Sequence, residues 1–321
     1  MHKIDYNKTK LVAFGDSFTF GQGLFPPPTG RDKTQLSWKA ESNSISYPKL
    51  IADKLKFNSV ENYAVPGSSN PGMMSIMRSY YDSNPTNKDI VYLVGLTTPD
   101  RDWIMRYMDH KEKYDPVDFT YNHWLQGHNH NKNSSKTRGF DSPLYYDISQ
   151  RSMEEFLTHY WNNYTILLKH AEFYFSLIDF FEARGLNYIL VDVINDTLAK
   201  IDRYNLLEKV STSGWNNIFK DAYGFELVIN NYYKEAKKNK NYINSVTLQD
   251  IPYYVGTKHQ NLKTTKFQNL NHYILQYGID TYGKMASMLS TLPNDKHWNK
   301  EGHILVSNLL VEYITKNYGK K

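Results

Sequence analysis

The strongest constraint on this chain is a series of short strand-like runs, most of them apolar nearly throughout. Each is stopped by a turn and separated from the next by a stretch of helical spacing. KLVAF at 10–14 ends in Gly15-Asp16-Ser17. SVENY at 59–63 runs into Ala64-Val65-Pro66-Gly67-Ser68-Ser69-Asn70. IVYLV at 90–94 closes on Gly95, and LNYILVDVI at 186–194 follows Gly185. A strand that is apolar throughout must be covered on both faces, and parallel sheets achieve this with crossover helices. The intervening segments fit. Ser46 is placed to cap a helix with Pro48 in its first turn, and Leu50, Ile51, Leu55 and Phe57 follow at helical spacing. Met73, Met74, Ile76 and Met77 mark another helix. Residues 153–184 form a long helical pattern ended by Gly185, and 298–317 carry Ile304, Leu305, Leu309, Val311 and Ile314 on one face. A fifth strand is expected over 242–248. The expected fold is α/β, three layers (α/β/α) around a central parallel five-stranded sheet. One domain over 1–321 is expected, with insertions at about 105–185 and 197–290. Residues 24–44, rich in Pro and Ser, read as a surface loop, and 252–290 as a further insertion.

Composition narrows the chemistry. The chain has 321 residues and no cysteine, which excludes disulfides, thiolate metal sites and a cysteine nucleophile. A net charge of +5 is spread along the chain and forms no nucleic-acid footprint, so no nucleic-acid partner is expected. No apolar run approaches the ~18 residues of a membrane span, and the start has no apolar signal core. A cytoplasmic location is therefore expected. The 27 Tyr fit either an AT-rich genome or a sugar-binding surface, and the first reading is the simpler.

Two segments carry chemistry. Ser17 sits in a turn at the carboxyl end of the first strand, where side chains of α/β proteins face the ligand crevice. Taken alone, Asp16-Ser17 fits a helix cap as well as it fits a nucleophile. Near the C-terminus, Asp295 and His297 lie two apart before the last helix. A serine nucleophile needs a general base, usually His, best held by a carboxylate. With 11 His in the chain, this second segment is weak by itself. His123, His128 and His130 lie in a polar stretch without clustered carboxylates, a poor metal site. Arg101 and Arg106 fit an anion grip or surface ion pairs, and His303 reads as structural.

Together, the segments resemble the SGNH (GDSL-type) hydrolases. In order along the chain, Gly15-Asp16-Ser17 matches the family's first block and Gly67 its second. Gly95-Leu96-Thr97 stands at the third block and Asp295/His297 at the last. Two departures stand out. The family's third-block Asn is Thr97 here, and its Asp-x-x-His spacing is Asp-x-His, with Asn294 at the usual acidic position. Asp-x-His-Trp is similar to the arrangement in SGNH-like sugar O-acetyltransferases and some phage-encoded members.

The resemblance implies a flavodoxin-like fold and a serine esterase without metal or organic cofactor. Ser17 would be the nucleophile, His297 the base and Asp295 its orienting carboxylate. The N–H groups of Ser17 and Gly67, with the Thr97 hydroxyl, would hold the oxyanion, and Asp16 would support the turn. The substrate class expected is a small ester or an acylated glycan, with O-acetyl groups on a carbohydrate first. Alternatives are a lipase or acylhydrolase, a sugar O-acetyltransferase, or an inactive glycan-binding or structural phage protein. The phage-like features also raise a virion-associated location.

Overall fold

The computed structural model describes residues 4–25, 35–85, 89–99, 101–108, 113–120, 163–204, 225–245, 247, 268–282, 284–290 and 296–318. In chain order the elements are β1 (Lys10–Phe14), α1 (Ser17–Phe20), α2 (Gln35–Ile45), α3 (Tyr47–Leu55), β2 (Ser59–Asn62), α4 (Asn70–Ser83) and β3 (Ile90–Leu96). They continue with β4 (Arg101–Met108), β5 (Lys113–Thr120), α5 (Asn163–Glu182), β6 (Asn187–Asp192), α6 (Thr197–Tyr204) and α7 (Phe225–Lys238). The last are β7 (Tyr242–Ile243), α8 (Leu270–Tyr282) and α9 (Lys300–Tyr318).

The sheet has the order β2-β1-β3-β6-β7 and every pairing in it is parallel. Strand side chains alternate between faces. Leu11, Ala13, Val91, Leu93, Ile189 and Val191 therefore meet α3, α8 and α9 on one side. Val12, Phe14, Tyr92, Val94 and Leu190 meet α4, α5 and α7 on the other. The expected three-layer α/β/α architecture and five-stranded parallel sheet are borne out. The order makes β1 and β3 the neighbours from which the chain departs to opposite sides. At such a switch point the carboxyl ends of the strands open a crevice, and Ser17 and Thr97 follow those two strands.

Several boundaries differ from expectation. The fifth strand pairs only over Tyr242–Ile243, after which Asn244 turns the chain through reciprocal bonds with Thr247. Part of the expected loop 24–44 is helical, as α2. Trp38 is buried there against Phe20 and donates its indole N–H to the Phe25 carbonyl, so tertiary packing overrides a polar sequence. Part of the expected insertion 252–290 is core, because Leu270, Tyr273 and Ile274 of α8 are buried. Within the other expected insertion, β4 and β5 pair as an antiparallel ribbon. Ser46 stands at the start of α3 as expected, but its hydroxyl donates to the Asn43 carbonyl rather than capping the helix.

Three buried titratable groups set a pH profile. Burial pushes His170 and His303 down to about 3, with the nearby His297 adding to the effect on His303. Burial likewise raises Asp192 well above its ordinary value, against the bonds it accepts from Tyr242 and Asn195. Below the ordinary histidine value of 6.5, the unfolded chain takes up protons that the fold refuses. Stability therefore falls as pH drops from there toward 3. Above 3.8 the unfolded chain gives up the Asp192 proton that the fold retains, so this group's contribution fades as pH rises through its folded value. In thermal melts across pH, His170→Gln with His303→Gln should lessen the loss of stability on acidification below 6.5, and Asp192→Asn should lessen the opposing loss as pH rises above 3.8.

Candidate active site

The turn after β1 is built to hold a serine rigidly. A Cβ on Gly15 would stand 2.3 Å from the Thr19 hydroxyl oxygen, and one on Gly95 would stand at the same distance from it and 2.9 Å from the Tyr47 hydroxyl. The two glycines thus leave room for the buried Thr19–Tyr47 hydrogen bond of 2.9 Å, which pins α1 to α3. Asp16 caps α1, its Oδ1 accepting the Phe18 N–H at 3.0 Å. Gly21 ends the helix in a left-handed conformation, φ 91°. Ser17 is only 6% exposed.

The imidazole beside Ser17 comes from the other end of the chain. His297 Nε2 lies 2.7 Å from Ser17 Oγ, a contact spanning 280 residues of sequence. The His297 ring packs on Phe18, centroids 4.8 Å apart. The carbonyl of His297 accepts the Ser290 N–H at 2.8 Å, and its neighbour Trp298 forms a β-bridge with Leu289. Asn299 caps α9 by accepting the Gly302 N–H. Cap and serine contact coexist at both ends: Asp16 and Asn299 hold helix starts, and the adjoining Ser17 and neighbouring His297 meet. Asp295 and Asn294 lie outside the described residues, as do His123, His128 and His130. Arg106 lies within β4.

Thr97 follows β3 and is 2% exposed. Its backbone is clamped by one side chain: Asn70 Oδ1 accepts the Thr97 N–H at 3.0 Å, and Asn70 Nδ2 donates to the Thr97 carbonyl at 3.1 Å. Its hydroxyl donates to Asp16 Oδ2 at 2.9 Å. A hydroxyl has one hydrogen to give. In this arrangement that hydrogen is aimed at Asp16, not at the crevice where an oxyanion donor was expected. Gly67 has φ 84°, and no described residue lies within 4 Å of where a Cβ would stand. Neither the Ser17 N–H nor the Gly67 N–H donates to a described residue.

Sequence reasoning missed Asn70, which reads as a turn residue, and the bond of Arg101 to the Ser68 carbonyl. His303 is fully buried, accepts the Tyr47 N–H on Nδ1 and stacks on the Tyr47 ring. Among the described residues, no three His, Asp or Glu side chains gather as a metal site, and no helix is long and apolar enough to cross a membrane.

No family model and no curated protein matches the chain. Among solved structures, it is similar to a member of the lipolytic protein G-D-S-L family from Veillonella parvula. The two are 12% identical with a TM-score of 0.34, covering 98% of this chain and 100% of that one. It is also similar to an acetyl xylan esterase (12%, TM-score 0.39, 95% and 99% covered). A lipase from a goat rumen metagenome is 11% identical, with a TM-score of 0.40 and 97% and 99% covered. These are distant likenesses.

Proposed function

We propose that the protein is a serine ester hydrolase. The observation that carries this reading is the 2.7 Å contact between Ser17 Oγ and His297 Nε2 at the sheet's switch point. That separation suits a base taking the proton as the hydroxyl attacks a carbonyl carbon. The ester carbonyl oxygen becomes an oxyanion, and the N–H groups of Ser17 and Gly67 are the donors available to it. Collapse of the tetrahedral intermediate expels the alcohol, which takes the proton from His297 and leaves an acyl-Ser17. Water then repeats the sequence and releases the acid. Asp295 orients the imidazole and offsets its charge in this scheme. Thr97 supports the nucleophile turn through Asp16 rather than donating to the oxyanion.

Within this class we favour O-acetyl groups on a carbohydrate over lipid acyl chains or acyl transfer to a sugar, because the sequence over 105–150 is polar and rich in His, Asn and Tyr, which suits a glycan better than an apolar acyl chain.

A serine-directed fluorophosphonate should label Ser17, and p-nitrophenyl acetate should turn over above the Ser17→Ala background. Labelling at another residue, or labelling that survives Ser17→Ala, sinks the assignment. Asp295→Asn should lower turnover with little change in melting temperature, while Asn294→Ala should be mild. The reverse ranking would move the orienting role to Asn294.

A further inference from the structure

We propose that Arg101, paired with Asp16, is a positioning residue that holds the Gly67 loop in register with the Ser17 turn. The proposal rests on the hydrolase reading. Arg101 opens β4, its backbone N–H bonded to the Thr98 carbonyl at 3.2 Å. One guanidinium nitrogen, Nη1, lies 3.2 Å from the Ser68 carbonyl and 3.4 Å from Asp16 Oδ2. It thereby bridges the residue after Gly67 and the residue before Ser17.

The bridge is not a surface ion pair. The Arg101 side chain is 15% exposed and that of Asp16 1%. Exposed pairs are screened and contribute little, whereas a pair removed from water holds its geometry. Asp16 is itself fixed, because Oδ1 accepts the Phe18 N–H and Oδ2 accepts the Thr97 hydroxyl. The carboxylate is thus a hub joining the ends of β1 and β3, and Arg101 extends that hub to the loop after β2.

The Gly67 loop needs such a tie. Its entry is anchored by Val65 N–H on the Gly15 carbonyl, 3.0 Å, and Ser68 N–H returns to the Val65 carbonyl, 3.0 Å. Between these points Gly67 takes a left-handed φ, with no described residue packed where a side chain would be. Asn70 fixes the start of α4 to Thr97, three residues further on. The Arg101 guanidinium joins Ser68, the residue after Gly67, to the nucleophile turn through Asp16. An oxyanion hole works because its donors are fixed before charge develops, so a hole of two backbone N–H groups depends on their mutual placement.

The test uses the full chain with Arg101→Met, Arg101→Lys and Arg101→Ala. Turnover of p-nitrophenyl acetate and hydrogen exchange over residues 64–70 are both measured. Arg101→Met should lower kcat by about 10–100-fold with KM little changed, since the lost order matters when the oxyanion forms. Exchange over 64–70 should quicken. Arg101→Lys should keep part of kcat, because an ammonium is a cation without the planar fork. Guanidinium ion added to Arg101→Ala should restore part of kcat. Unchanged exchange over 64–70 in Arg101→Met overturns the proposal, as does a loss of kcat that merely tracks the unfolded fraction in a melt. If the parent protein turns over no ester but exchange over 64–70 still depends on Arg101, the tether stands and the hydrolase reading falls.

Discussion

Replacing Ser17 by Ala is expected to bring ester turnover to the level of the uncatalysed reaction plus whatever binding alone supplies, and His297→Ala to lower kcat by about 10²–10⁴. Both follow from one hydrogen bond, Ser17 Oγ to His297 Nε2 at 2.7 Å. A serine hydroxyl is a poor nucleophile until a neighbour takes its proton, and in the proposed mechanism His297, 2.7 Å away, does so. The two side chains act as a unit. The double variant should therefore be little worse than Ser17→Ala alone, because once the nucleophile is gone the base has nothing to deprotonate. Active-site titration with a fluorophosphonate separates the two singles. Ser17→Ala should take up none, and His297→Ala should take it up slowly. Full turnover in Ser17→Ala would move the chemistry to another residue, and equal labelling rates in the parent and His297→Ala would leave Ser17 activated by some other group. Neither substitution should disturb folding much. Ser17→Ala removes one atom, and the His297 loop keeps its backbone bonds to Ser290 and Leu289.

The strands β1, β3 and β6 were legible because burial on both faces leaves an unbroken apolar run. β7 was legible in position but not in length: it starts at Tyr242 as expected, but pairs over two residues rather than running to 248. α8 had a usable signal in Leu270, Tyr273, Ile274 and Tyr277, spaced for one helical face, but it sat inside a stretch taken as an insertion. α2 had almost none, since Gln35–Ile45 is polar and is held by one buried Trp38. The placement of Ser17 and His297 in the site was readable from their positions at a strand end and before a helix. The supporting bonds were not. Asp16 to Thr97 spans 81 residues, Asp16 to Arg101 85 and Asn70 to Thr97 27. Such pairs are set by sheet order, not by local pattern. Thr97 shows the consequence. Its position at the end of β3 suggested a donor to the oxyanion, and only the fold reveals Asp16 as the partner of its hydroxyl.

Trp298→Ala is expected to cost about 3–5 kcal/mol of stability, the range for deleting a buried large aromatic side chain, and to lower the melting temperature by about 10 °C. The indole is fully buried. It packs on Phe18 at 4.8 Å, His303 at 5.6 Å and Tyr47 at 6.2 Å between centroids. Its N–H donates to Asn271 Oδ1 at 2.8 Å, so truncation also strands an acceptor on α8. The loss should reach catalysis in molecules that remain folded. Phe18 touches both the His297 and Trp298 rings, and a cavity beside it lets the imidazole leave the serine. Trp298→Phe is the milder change, because it keeps an aromatic ring beside Phe18 while removing the N–H and part of the indole's packing. It should melt between the parent and the Ala variant and retain more of kcat, measured well below either transition. If Trp298→Ala melted with the parent and kept its kcat, the aromatic cluster would not be what fixes the base. The 2.7 Å contact would then depend on the backbone bonds of His297 and on the pairing of Leu289 with residue 298.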